Sequence, residues 1–130
     1  MLEQLKNSTE NERFEKNEKL FRAVLKIQWA NGKPSSAAFK LREKRNEKEL
    51  SFDRQKDRPV DDCVTFIRKN LKGNIVSVRV EECYSLDLTV EATPRPNNPF
   101  HTSVYSEIPG YINDEAAFDL ARLAVTEYSE

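Results

Sequence analysis

The chain has 130 residues, 38% apolar and 33% charged, with a net charge of −1. That length fits one domain able to bury a core without metals or disulfides, and no apolar run approaches the ~18 residues of a membrane span. The opening Met1-Leu2-Glu3-Gln4 lacks the cationic-then-apolar pattern of a secretory leader, so a cytoplasmic location is expected.

The charge is unevenly spread. Residues 33–72 hold twelve basic and seven acidic side chains, whereas residues 81–130 hold two and ten. Such segregation suits either a partner-facing side or two solvated faces. Cys63 and Cys83 have no cysteine or histidine at metal-ligand spacing, so two reduced thiols are expected, with no zinc and no cofactor.

Residues 1–18 are polar and nearly devoid of bulky apolar side chains, and read as a mobile or partner-ordered arm preceding a single α+β domain at 19–130. From Leu20 to Trp29 the apolar residues Phe21, Ala23, Leu25, Ile27 and Trp29 alternate with Arg22, Lys26 and Gln28, Val24 being the exception. Period two predicts a strand with its odd-numbered side chains inside. Asn31-Gly32-Lys33-Pro34 then signals a turn, and Ser35 and Ser36 either start a short helix or line a loop. Residues 42–49 (REKRNEKE) read as an exposed charged loop or a solvated hairpin tip.

Leu50-Ser51-Phe52 is a short strand candidate. Val60, Cys63, Val64, Ile67 and Leu71 share one helical face, with Pro59 at the start, Asp61 and Asp62 at the positive dipole end and Gly73 beyond the finish. That spacing predicts a helix near 59–72. Strands follow at 75–80 and 86–92, and residues 81–85 fit a helical turn or a bulge equally. Pro94, Pro96 and Pro99 make residues 93–100 a loop. Residues 102–108 form a further strand, and Asn113 caps a final helix near 113–127. The sum is an α+β fold: a mainly antiparallel sheet of four to five strands with two helices, about 59–72 and 113–127, on one face.

Three glycines and no paired-histidine motif leave the familiar phosphate-loop and metal chemistries without support. Arg22, on the outer side of the first strand, has the chemistry of a phosphate or carboxylate clamp, or of a surface ion pair. Ser51, Asp53 and Arg54 sit at a strand end, where functional groups and simple turn chemistry both occur. His101, the lone histidine, is a candidate acid or base, or a ring satisfying loop carbonyls. The candidate set is therefore Arg22, Ser51 and His101 for catalysis, with Arg22 and Arg54 for an anion. Lys40, Arg42, Lys44, Arg45 and Lys48 are interleaved with Glu43, Glu47 and Glu49 and lack aromatics, so sequence-specific nucleic-acid binding is not expected.

The set Leu20-Phe21-Arg22-Ala23-Val24, Trp29, Gly32-Lys33-Pro34-Ser35-Ser36-Ala37-Ala38-Phe39-Lys40, Leu50-Ser51, Asp53-Arg54 and Asn98-Pro99-Phe100-His101 resembles a group of short uncharacterised bacterial proteins across about residues 20–125. The resemblance implies a bacterial or phage setting. A fainter similarity is to ADP-ribosyltransferases, which implies Arg22 gripping NAD, Ser51 or Ser35-Ser36 as the serine motif and Glu107 as the late glutamate. The chain departs from that family by having no Ser-Thr-Ser and no Glu-x-Glu.

Two functions are therefore weighed. One is a small non-catalytic accessory protein that binds a larger protein partner through its arm or its charged 40–58 region. The other is a small enzyme acting on a phosphate-bearing ligand such as NAD, a nucleotide or RNA. No membrane association is expected.

Overall fold

The computed structural model describes residues 13–42, 45–108 and 111–130. The elements in chain order are β1 (Lys19–Val24), β2 (Trp29–Ala30), β3 (Lys33–Pro34), β4 (Leu50–Arg54), α1 (Val60–Arg68), β5 (Asn74–Arg79), α2 (Val80–Ser85), β6 (Leu88–Ala92), β7 (His101–Ser106), α3 (Asp114–Leu123) and β8 (Val125–Tyr128). Short 3-10 turns occupy Lys26–Gln28 and Ser36–Phe39. The architecture is α+β. Six strands form one sheet in the order β6-β7-β4-β1-β5-β8, and every pairing is antiparallel.

β1 is an interior strand of the sheet, but it is shorter than its alternating pattern predicts. The strand ends at Val24, the 3-10 turn follows, and Trp29–Ala30 pairs with Lys33–Pro34 in a separate two-stranded ribbon. Leu25 and Ile27, expected inside, are 48% and 90% exposed. The reason lies in β1's neighbours. A strand flanked on both sides and covered on both faces is apolar on both, and Leu20, Phe21 and Val24 are all buried. The continued alternation past Val24 was coincidence with a turn.

The sheet has two unlike faces. The even-numbered face presents Leu20, Val24, Leu50, Phe52, Val76, Val78, Val90 and Val104 to Ala117, Leu120 and Ala121 of α3, Cys83 of α2 and Phe39. The opposite face presents Phe21 and Ile75 to Cys63 and Ile67 of α1. Among the described residues the helices therefore lie on both faces, three in number rather than two on one face, because adjacent strand residues such as Leu20 and Phe21 point to opposite sides. Both long helices are shorter than predicted. α1 stops at Arg68, and the residues after α3 form the edge strand β8. Residues 81–85 are helical, within α2.

Local chemistry accounts for several of these ends. Asn113 Oδ1 accepts from the Ala116 backbone N–H at 2.6 Å, the expected cap of α3. Gly73, at φ +114°, lies against β1, and a Cβ there would fall 2.4 Å from the Val24 carbonyl oxygen. Its place is fixed by this close approach rather than by capping α1.

Residues 1–12 of the expected arm lie outside the described residues, as do 43–44 of the charged loop. Residues 13–18 pack on the domain. Glu18 and Arg54 form a buried two-pronged ion pair at 2.9 and 3.0 Å. Arg54 also donates to the Arg13 carbonyl at 2.9 Å and lies over the Phe14 ring.

Candidate functional site

α1 covers only the β1–β5 half of its face. Over β4, β7 and β6 the same face is polar, and register fixes what stands there. Phe21 pairs with Asp53 and Asp53 with His101; Ser51 pairs with Ser103 and Ser103 with Glu91. Where the covered half meets the open half, a cavity of about 320 Å³ opens. Phe21, Ala23, Ser51, Asp53 and His101 border it from the sheet. Phe66, Ile67, Asn70 and Leu71 border it from the end of α1 and the turn beyond, and Arg95, Asn97 and Asn98 from the proline loop.

Each wall has a cause. β1 and β4 pair only at Leu20–Arg54 and Phe21–Asp53 and then separate. Arg22 spans the gap: its Nε donates to the Ala38 carbonyl and its Nη1 to the Ser51 carbonyl, both at 2.8 Å. Thus a side chain occupies an acceptor on β4 that a ladder N–H would otherwise take. The proline loop is braced by a pair of backbone bonds between Arg95 and Asn98 at 2.9 Å. Asn98 Nδ2 donates to Asp53 Oδ1 at 2.9 Å, and Asn98 Oδ1 accepts from the Phe100 N–H at 3.0 Å. Phe66 meets Phe100 edge-on, with ring centroids 5.4 Å apart, tying α1 to the loop. The Arg58 guanidinium lies 3.4 Å from the Phe100 ring centre.

His101 opens β7 instead of ending a loop, and it is 6% exposed. Its Nδ1 lies 3.1 Å from the Thr93 carbonyl oxygen and 2.9 Å from Thr93 Oγ1. A carbonyl only accepts, so Nδ1 carries the proton. The neighbouring hydroxyls agree. Ser103 Oγ donates to Glu49 Oε1 at 2.9 Å, so its hydrogen is committed. Thr93 Oγ1, 2.8 Å from Ser103 Oγ, must then donate to it and accept from Nδ1. All three hydrogens point toward Glu49, and Nε2 is left with a lone pair. That Nε2 is buried and has no hydrogen-bond partner among the described residues. Burial holds the His101 pKa below its usual range, with the Arg95 charge adding to the effect; the Thr93 carbonyl and the charges of Asp53 and Glu49 oppose it.

The sequence candidates divide. Arg22, Ser51 and His101 all border this cavity. Ser51 stands diagonal to His101 across the β4–β7 ladder, a separation of roughly 7–8 Å between such positions. The Arg22 guanidinium is held by two carbonyls, and burial pushes its pKa down to about 10. Arg54 lies elsewhere, engaged with Glu18. Glu107 follows the far end of β7, some ~20 Å from His101 at the usual strand rise. Ser35 Oγ donates to the Gln28 carbonyl at 3.0 Å.

Asp53 was weighed at the strand end beside Ser51 and Arg54 but given no role, and Asn98, Phe66 and the Thr93–Ser103–Glu49 chain were not among the candidates. Asn98 and Asp53 carried turn chemistry as their sequence signal, and the hydroxyl chain carried none, because only the register of three strands assembles it. Cys63 and Cys83 are both fully buried, and burial pushes the Cys83 thiol up to about 12, with the Glu82 charge adding to it. Among the described residues, no group of three or more His, Cys, Asp or Glu could hold a metal ion, and no helix is long and apolar enough to cross a membrane. No protein-family model, curated protein or solved structure matches the chain.

Proposed function

We propose that the chain is a small non-catalytic recognition domain, an accessory unit that works with a larger protein partner, and that the half-covered sheet face carries its contact site. The observation behind this reading is the cavity itself, with an apolar wall of Phe66, Ile67 and Leu71 and a polar floor of Ser51, Asp53 and His101. Most binding sites share that combination. Leu71 at its edge is 57% exposed. Gly73 brings the neighbouring end of β1, with exposed Leu25, beside it. Such apolar residues around a concavity suit a protein contact.

The test is co-purification of the tagged chain with the products of its genomic neighbours, repeated with Leu71→Glu. Retention of one partner by the parent chain and its loss in the variant, with thermal stability unchanged, is the expected result. A chain that elutes as a lone monomer and retains nothing would end this reading.

The second reading, a small enzyme acting on a phosphate-bearing ligand, draws on the free lone pair of His101. Its anion clamp is weakened by the two carbonyls that occupy Arg22 and by the Glu18 pairing of Arg54. Its nucleophile is weakened by the diagonal placement of Ser51. It predicts loss of activity without loss of stability in Arg22→Ala, whereas the bridging role of Arg22 predicts destabilisation.

A further inference from the structure

We propose that the cavity receives an aliphatic carboxylate, one negative charge on a short apolar body, with the Arg22 guanidinium as its partner. The inference rests on the reading of the cavity as a contact site and names what enters it.

The charge of the lining favours an anion. Two guanidinium groups, Arg22 and Arg95, border the cavity against one carboxylate, Asp53. That carboxylate already accepts from Asn98 Nδ2 at 2.9 Å. His101, held below its usual pKa, is neutral at about pH 7 and adds no charge.

Arg22 is the distinctive member. Its bonds to the Ala38 and Ser51 carbonyls use the Nε hydrogen and one Nη1 hydrogen. A guanidinium carries five such hydrogens, and the rest have no partner among the described residues. Carbonyls take up donors but leave the charge uncancelled. Glu47 acts on that charge through space, yet its own ion pair is with Arg42, at 2.8 Å. Burial pushes the Arg22 pKa down to about 10, so the group is charged near neutral pH and short of a counter-charge. Arg22 still keeps part of its surface accessible. A carboxylate would supply the missing charge, and its two oxygens match the planar fork of the guanidinium.

The rest of the lining narrows the class. Phe21, Ala23, Phe66, Ile67 and Leu71 give an apolar wall for the body of the ligand. Asn70 and Asn97, at the end of α1 and on the proline loop, add neutral donors at the border. Two cations against one anion match a single negative charge. A phosphate dianion would add repulsion from Asp53 with no third cation to offset it.

The terminal residue of a partner's chain and a free small acid share this chemistry, and the experiment separates them. The full chain is titrated at about pH 7 with pentanoate and with N-acetyl-glycyl-leucine, each beside its own amide as the neutral control. An acid is expected to shift the Phe66 and Leu71 signals saturably, with the matching amide at least ~10-fold weaker. The Arg22 side-chain N–H signals are expected to move with the acid and not with the amide, a readout that needs no variant. Arg22→Gln is expected to erase the preference for acid over amide.

A response to the peptide acid assigns the site to a chain end. A response to pentanoate alone assigns it to a free acid and still supports the carboxylate class. The inference is overturned by no response to either acid, by unmoved Arg22 signals, by a preference that survives Arg22→Gln, or by equal or tighter binding of an amide or of methyl phosphate. Partner retention, and its loss in Leu71→Glu, is read separately. Intact retention with a cavity indifferent to both acids sinks this inference alone. A chain that retains no partner yet binds pentanoate at Arg22 sinks the partner reading alone.

Discussion

At Gly73, conformation and space both forbid a side chain. The residue sits at φ +114°, and a Cβ would fall 2.4 Å from the Val24 carbonyl oxygen, which is backbone and cannot swing aside. Gly73→Ala is expected to lower stability by about 2–3 kcal/mol in urea unfolding, since strain and displacement of β1 act together. His101 makes a different kind of prediction. Its pKa in the folded protein lies below the usual 6.5, so the unfolded chain binds the proton more readily. The linkage therefore runs one way: the neutral ring's contribution is fully present above about pH 6.5 and is lost as pH falls through the folded-state value. His101→Gln is expected to flatten the decline in stability between about pH 7 and 5, measured by urea midpoints across that range. An unchanged slope would mean that other groups set it.

Among the elements, the separation of β1 from β4 is the feature that makes a cavity, and Arg22 is the brace across it. Arg22→Lys keeps the charge but loses the fork that reaches two carbonyls at once. It is expected to destabilise by about 0.5–1.5 kcal/mol, the net worth of a hydrogen bond lost, as read by denaturant unfolding. Much of this level was legible in the sequence. Val60, Cys63, Val64 and Ile67 announced α1 by their spacing, Asn113 announced the cap of α3, and the valines of β5 announced a strand. The face that each helix covers was not legible, because periodicity says which side of a helix is apolar and nothing about which side of the sheet it meets. The cavity was half legible. His101 and Ser51 stood out as residue types, but the Thr93–Ser103–Glu49 chain depends on cross-strand register, which no local pattern encodes. Arg22 was read as outward-facing because β1's second apolar face was taken for solvent.

For the molecule as a whole, the Glu18–Arg54 pair ties residues 13–18 to the rim of the sheet. Glu18 is 8% exposed and Arg54 5%, and Glu18 also accepts from the Lys56 N–H at 2.9 Å. Removing the carboxylate leaves a buried guanidinium short of its counter-charge. Glu18→Ala is expected to cost about 3–5 kcal/mol and to abolish hydrogen-exchange protection at Lys16 to Lys19. Protection that survives would show that the Phe14 stack and the backbone bonds from Val80 and Glu81 to Glu18 and Lys16 hold the segment without the ion pair.

The strand order has a consequence in time. Only β6 and β7 are consecutive neighbours in the sheet; β1 must wait for β4 and β5, and β8 joins the far edge after α3. A chain emerging from the ribosome therefore holds Leu20 and Phe21 unpaired until Leu50–Arg54 has been made and Val24 unpaired until Asn74–Arg79 follows, a long exposure for a sticky segment. Such distant pairings place refolding in the millisecond-to-second range, measurable by stopped-flow fluorescence of Trp29. The histidine's surroundings come together only when β7 docks on β4, so a nascent chain can hold the apolar contacts of β1 and β5 while the cavity is still unformed.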